Sequence, residues 1–215
     1  AKDMTSGKPI KLIWNFTIPL LIGNLFQQLY NMADTFIVGR TIGVHALASV
    51  GSTGSIIFLI LGFANGLTAG LAIPLAQRYG AKNYSGVKRS FYVSILISAV
   101  VAILLTILSM VFCRQILEIM KTPVEIIDGA YDYLMVIFAG IFSSMAFNLL
   151  SNIFRSIGDA KTPLYFLVIA CIMNIILDVV FIAGFGMGVE GAGYATVLSQ
   201  IFSALACIFY IWKKI

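Results

Sequence analysis

An all-α integral membrane bundle of six spans is the fold class that this 215-residue sequence predicts. Three observations carry it. Hydrophobic residues make up 60% of the chain and charged residues only 11%, against roughly 45–50% and about 25% in a soluble domain. The charged residues delimit uncharged runs at 12–33, 41–77, 90–113, 133–154, 162–189 and 191–212, with Asp178 the one interruption. A spanning helix needs about 20 mostly apolar residues. The 41–77 run is too short for two spans and a turn, so it reads as a loop followed by one long helix.

The third observation is the placement of the 14 Lys and Arg residues. With the amino terminus inside, the inner set is Lys2, Lys8, Lys11, Arg78, Lys82, Lys88, Arg89, Arg155, Lys161, Lys213 and Lys214. The outer set is Arg40, Arg114 and Lys121. Basic residues concentrate in cytoplasmic loops. Both termini are therefore expected on the cytoplasmic side of a plasma membrane, in agreement with an even number of spans. The net charge of +5 does not point to nucleic acid, because the basic residues sit at the ends of apolar runs and form no continuous basic face. Cys113, Cys171 and Cys207 lie in or at apolar runs without metal-like spacing, and no disulfide is expected. The first run is too long for the apolar core of a cleavable signal peptide and reads as a span that stays.

Residues 1–10 are polar and are expected along the inner surface. The first span is expected over about 11–38 and carries Pro19, which removes a backbone hydrogen bond and invites a bend. Asn24, Gln27 or Gln28, Asn31, Asp34 and Thr35 recur at helical spacing, so one face looks into protein or water. The second span, about 48–77, holds Gly62, Gly66 and Gly70 four residues apart, a small-residue face suited to close helix packing. The third, about 89–113, is almost wholly apolar and is expected to face lipid. Residues 114–132 form the longest outer connection, and Pro123 opens the fourth span, about 123–154. That span carries Ser144, Asn148, Ser151 or Asn152, and Arg155 as a second polar stripe. The inner loop RSIGDAKTP follows, where Arg155 and Asp159 are expected to make a structural or gating contact. The fifth span, about 162–185, holds Asn174 and Asp178. A glycine-rich outer turn leads to the sixth, about 191–212, with Thr196, Gln200 and Ser203 on one face. The whole chain, 1–215, reads as one unit without internal repeat.

Asp178 is the chemical focus. It lies one helical turn from Asn174 inside an apolar run. A carboxylate at membrane depth costs a few kcal/mol or more on insertion scales and marks a functional site. Asp34 is the second such acid, nearer the outer end of its helix. Asn148 has the competing reading of an amide that stitches helices, and Thr196 that of a hydroxyl bonded to its own helix. At ~1.5 Å per residue from the run midpoints, Asp178 falls ~4 Å, Thr196 ~8 Å and Asp34 ~13 Å outward of centre, with Asn148 ~7 Å inward. That spread is too wide for one tight site unless tilt or the Pro19 bend narrows it. His45 reads as an exposed bystander. No Ser-His-Asp set, metal-spaced cluster or phosphate loop is present, so an enzyme is not expected.

The run PLLIGNLFQQLYNMADTFIVGR, the following LASVGSTGSI, the loop RSIGDAKTP, and NIILD with GVEGAGYATVLSQ together resemble the amino-terminal lobe of MATE (multidrug and toxic compound extrusion) transporters. The resemblance covers essentially the whole chain. It implies one lobe of a twelve-helix transporter fold built from two six-helix lobes. It implies a secondary antiporter that exchanges H+ or Na+ for amphipathic organic cations and needs no further cofactor. The matching ion-coupling positions are Asp34, Asn148, Asn174, Asp178 and Thr196, the same oxygen set on which Na+ would sit. Pro19 matches the bending proline, and Gln27, Asn31 and Tyr131 match the substrate-cavity lining. The implied partners are membrane lipid, organic cations, and a second six-helix lobe or a second copy. The resemblance leaves open whether the 215 residues are a fragment, an isolated lobe or a half-transporter.

Two other readings compete. A non-transporting six-helix bundle or scaffold would bury Asp34 and Asp178 against donors such as Asn148 or Gln200. A lipid-linked precursor flippase would carry a more cationic cavity, whereas the charges at membrane depth here are acidic.

Overall fold

The computed structural model describes residues 8–214, with side chains as far as residue 211. Residues 1–7 of the polar leader lie outside the described residues, while Pro9 and Ile10 already belong to the first helix. All regular elements among the described residues are helical: α1 (Pro9–Thr41), α2 (Val44–Gly80), α3 (Tyr84–Ile119), α4 (Val124–Ala139), α5 (Ile141–Ser156), α6 (Lys161–Asp178), a π-helical segment (Val179–Gly184) and α7 (Val189–Lys214). Five of these spans are long and apolar enough to cross a membrane by themselves. The pair α4 and α5, bent by 47°, makes the sixth. The protein is a multi-pass membrane bundle.

The helices outrun the expected bounds by several residues at most ends, because a charged residue can snorkel to the interface without ending a helix. Two differences go deeper. The span expected as one helix over 123–154 is broken at Gly140. A Cβ there would run into the Val197 side chain of α7, so only glycine allows this close approach. The Gly140 N–H is shared between the carbonyls of Val136 and Ile137, and the chain then restarts in a new direction. The span expected over 162–185 stops being α-helical at Asp178. The ladder widens there to π spacing, as in the bond from Phe185 N–H to Val180 O at 2.9 Å. By contrast α1 runs unbroken through Pro19, which leaves the Asn15 carbonyl without its usual helical donor.

The bundle is organised around α5 and α7. α5 packs on α2, α3 and α7; α7 packs on α4, α5 and α6; α1 rests mainly on α6. The largest apolar cluster joins α2, α3 and α4–α5 through Ile56, Leu117, Leu134, Phe138 and Met145. In lipid, apolar burial drives helices together far less than in water, so close packing and interhelical hydrogen bonds carry the association. Hydroxyls supply several: Ser94 to Leu71 O at 3.1 Å, Ser49 to Ile126 O at 3.2 Å, and Ser203 to Phe166 O at 3.4 Å. Each contributes roughly 0.6 kcal/mol.

The glycine row of α2 does not pack as expected. A Cβ at Gly62, Gly66 or Gly70 would meet no described atom within 4 Å, so the face is open in this chain. The expected Arg155–Asp159 contact is also absent from the described ion pairs. Asp159 is engaged elsewhere. It accepts from the backbone N–H groups of Lys161 (3.2 Å) and Thr162 (3.0 Å) and from the Thr162 hydroxyl (2.7 Å), which caps α6. Partial burial pushes the Asp159 carboxyl up, but these three bonds outweigh it and hold the group below the usual carboxylate range. Arg155 turns instead toward Asn152 Oδ1 at 3.5 Å. The three cysteines are free and buried, and His45 is exposed at the start of α2.

Candidate functional site

Asp34, Asn174, Asp178 and Thr196 come together between α1, α6 and α7, and all four are buried. The local reasons are simple. Asn174 and Asp178 sit one turn apart on the face of α6 turned inward, both at 1% exposure or less. Asp34 is carried on one of the few buried stripes of α1, with Pro19, Gly23 and Val38. Thr196 lies on the face of α7 that meets α6.

Thr196 Oγ1 is the shared acceptor. The Asn174 amide donates to it at 3.3 Å and the Tyr30 hydroxyl at 3.4 Å. One threonine hydroxyl therefore ties three helices together, instead of bonding back to its own helix. The Asp34 and Asp178 carboxyls are neighbours close enough to act on each other electrostatically. Both Asp178 oxygens, Asp34 Oδ1 and Asn174 Oδ1 are buried and accept no hydrogen bond from any described group. Buried polar atoms are normally paired. Four orphan acceptors, three of them on the two carboxyls, make a site short of positive charge. A proton between the carboxyls, or a hard cation among these oxygens and the Thr196 hydroxyl, would complete it. The atoms that would hold such an ion are all oxygens, a donor set that suits a hard cation better than a soft transition metal.

The remaining expected residues fall elsewhere. Asn148 does not touch the carboxyls. With Gln27, Gln200, Ser199 and Ser203 it lines a separate polar cavity of about 50 Å³, which meets the acid site at Tyr30. A water needs about 10–15 Å³ of such space, so a few fit. Gln200 is held there by the Ser144 hydroxyl. Asn31 is exposed and bonds Gln28 Oε1 at 3.3 Å. Tyr131 packs on the α2–α3–α4 apolar cluster beneath Arg114, whose guanidinium lies 5.9 Å from the ring centre. Tyr133 is buried and lies in electrostatic reach of Asp34, Tyr30 and Asp178. Residues two apart on a helix point about 200° from one another, so only one of the two tyrosines can face the site.

The sequence reading missed Tyr30 and Tyr133. For Tyr30 a signal existed, since it lies one turn before Asp34 on the same helix face. A stripe counted only in amides and carboxylates passes over a phenol, although a buried tyrosine hydroxyl seeks a partner.

A family model described as MatE matches residues 19–180, which include Asp34, Asn174 and Asp178. The probable multidrug resistance protein YpnP of Bacillus subtilis (strain 168) is 32% identical over 99% of this chain and 48% of its own length. Solved structures of MATE in the bent and in the straight conformation each match at 32% identity, with TM-scores of 0.90 and 0.89. Each covers 97% of this chain, and the chain covers 46% of each. The chain thus spans about half the length of the relatives it matches.

Proposed function

The chain belongs to the MatE family, and we propose that its residues 1–215 work as one six-helix lobe of a secondary active multidrug antiporter. The lobe exchanges H+ or Na+ for amphipathic organic cations across the plasma membrane, with both termini cytoplasmic. A second six-helix bundle, a continuation of the protein or another copy, closes the pathway. The relatives' length supports the second bundle, since the chain spans about half of it.

One observation carries this reading: two neighbouring buried carboxyls, with orphan oxygens on and beside them. A scaffold bundle would satisfy its acids with donors such as Asn148 or Gln200. Here Asn148 and Gln200 both line the neighbouring cavity, and neither is a donor to the buried Asp178 oxygens or to Asp34 Oδ1. Acids left without donors store an unfavourable interaction that only an arriving cation relieves. Ion entry then favours packing of α1 against α6, and ion loss disfavours it. A ligand shifts an equilibrium only by its differential affinity for the two states. Asp34, Asp178, Asn174 and Thr196 would carry the coupling. Asn148, Gln27 and Tyr30 would line a small hydrated cavity beside them, and the exposed Asn31 on the same helix as Gln27 would meet the organic cation where a second bundle faces this one. The lobe matches both the bent and the straight solved conformations almost equally, which fits a switch confined to a small part of the bundle.

The test is flux of a fluorescent organic cation in proteoliposomes under separately imposed H+ and Na+ gradients. Flux driven by one gradient and lost in Asp178→Asn is the expected result. Full flux in the variant would refute the assignment.

A further inference from the structure

A groove of about 580 Å³ runs along the outside of the bundle between α3 and α7, far from the acid site. It exists because α3 and α7 both pack on α5 but do not touch each other. Its floor is α5, through Met145, Ala146 and Leu149. Small residues on α3, Ala99 and Ala102, keep it deep, and Tyr92 and Ile208 form parts of its rim. Exposed apolar surface on a membrane bundle normally meets mobile lipid and needs no explanation. A deep, nearly all-apolar trough offers an acyl chain far more contact than a flat helix face does.

One end of the trough is charged. Lys88 and Arg89 lie one turn before Tyr92 on α3, both exposed. Neither pairs with an acid among the described ion pairs. Two further charged groups near that end of the bundle are already engaged. Asp159 caps α6, and Arg78 is fixed to Gly86 O at 2.9 Å and Ser90 Oγ at 2.6 Å.

We infer that this groove is a binding site for an anionic phospholipid, its acyl chain lying along Ala99, Ala146 and Ile208 and its phosphate held by Lys88 and Arg89. The occupant is chosen by charge. An apolar trough alone would accept any chain, but two free basic side chains at its mouth select an anionic headgroup. A basic residue near an anionic membrane surface favours binding roughly fivefold, so the pair favours it roughly twenty-five-fold. The bound lipid would brace α3 against α7, two helices with no contact of their own.

The test uses the purified protein with Tyr92→Trp as the reporter and Trp14 and Trp212 replaced by Phe. Brominated phosphatidylglycerol and brominated phosphatidylcholine are titrated against its fluorescence. Quenching at roughly tenfold or more lower concentration with the anionic lipid is expected, with the preference lost in Lys88→Gln, Arg89→Gln. Quenching should also fall in Ala146→Phe, which fills the trough. In the protein without the two charge substitutions, the preference should shrink as salt rises. This arm stands even where the charge variant does not fold. Equal quenching by the two lipids would overturn the inference, as would a preference insensitive both to salt and to the two substitutions.

Discussion

Asp34 of α1 and Asp178 of α6 are buried neighbours that act on each other electrostatically, and neither Asp178 oxygen nor Asp34 Oδ1 has a hydrogen-bond donor among the described residues. The amide beside them points its Nδ2 away, into Thr196. The protein therefore holds two acids and an amide oxygen together and supplies nothing to neutralise them.

Asp178→Asn should separate stability from function. An amide donates to Asp34 where a carboxylate only repels it. The variant should melt higher, by an amount corresponding to about 1–3 kcal/mol of relieved burial of an unpaired group, while gradient-driven flux falls to background. Thermal unfolding in detergent and proteoliposome flux check the two halves. A variant that melts lower would mean that a charged Asp178 is stabilised by its surroundings.

Thr196→Val removes the acceptor that serves both Tyr30 and Asn174. Leaving two buried donors unpaired should cost about 1–3 kcal/mol. Thr196→Ser keeps the oxygen and should recover most of it. Chemical or thermal unfolding of the two variants side by side measures the difference.

Tyr133→Phe keeps the buried ring and should lower stability by less than about 1 kcal/mol, yet it should alter ion-driven flux because the phenol sits within reach of both acids. Tyr131→Phe, two residues away on the opposite face, should leave flux unchanged. Equal effects from the two variants would show that the site does not distinguish the faces of α4.

Gly140→Ala sets two effects against each other. Alanine gains about 1 kcal/mol in helix propensity, but its Cβ enters the space of Val197. Valine is stiff at χ1 and cannot step aside, and overpacking costs about 1–3 kcal/mol. The variant should be destabilised, and Val197→Ala should rescue it. Melting temperatures of the single and double variants decide.

Asp159 carries a pH dependence of known sign. Its carboxyl is held below the usual range by the α6 cap. The stabilisation is complete above the ordinary carboxylate pKa and is lost as pH falls through the lower folded value. Asp159→Ala should cost about 1 kcal/mol at neutral pH, with the deficit narrowing only in strong acid, below about pH 4. Unfolding curves of both proteins from pH 7 to pH 3 test this.

Much of the site was legible because charge at membrane depth is rare. Asp34, Asn174 and Asp178 stand out against aliphatic neighbours whatever the fold, and the one-turn spacing of the last two follows from the helix alone. What stayed hidden depended on a second helix. The spread of depths counted along the chain kept Asp34 and Thr196 apart from Asp178, because run midpoints are not heights in a packed bundle. Tyr131 and Tyr133 could not be told apart until α4 had an orientation. The Arg155–Asp159 pair looked natural by spacing, but Asp159 had nearer donors in the backbone that follows it.

The sequence by itself determined the six apolar spans, their alternating basic loops and the presence of acids within them. These depend on transfer of single residues between water and lipid, and each residue contributes independently of its neighbours. Only the tertiary structure decided the break at Gly140, the π turn after Asp178, the open glycine face of α2 and the joining of Asp34, Asn174, Asp178 and Thr196. These depend on which atoms of distant helices occupy the same few ångströms, and steric exclusion and hydrogen-bond geometry act over that distance alone.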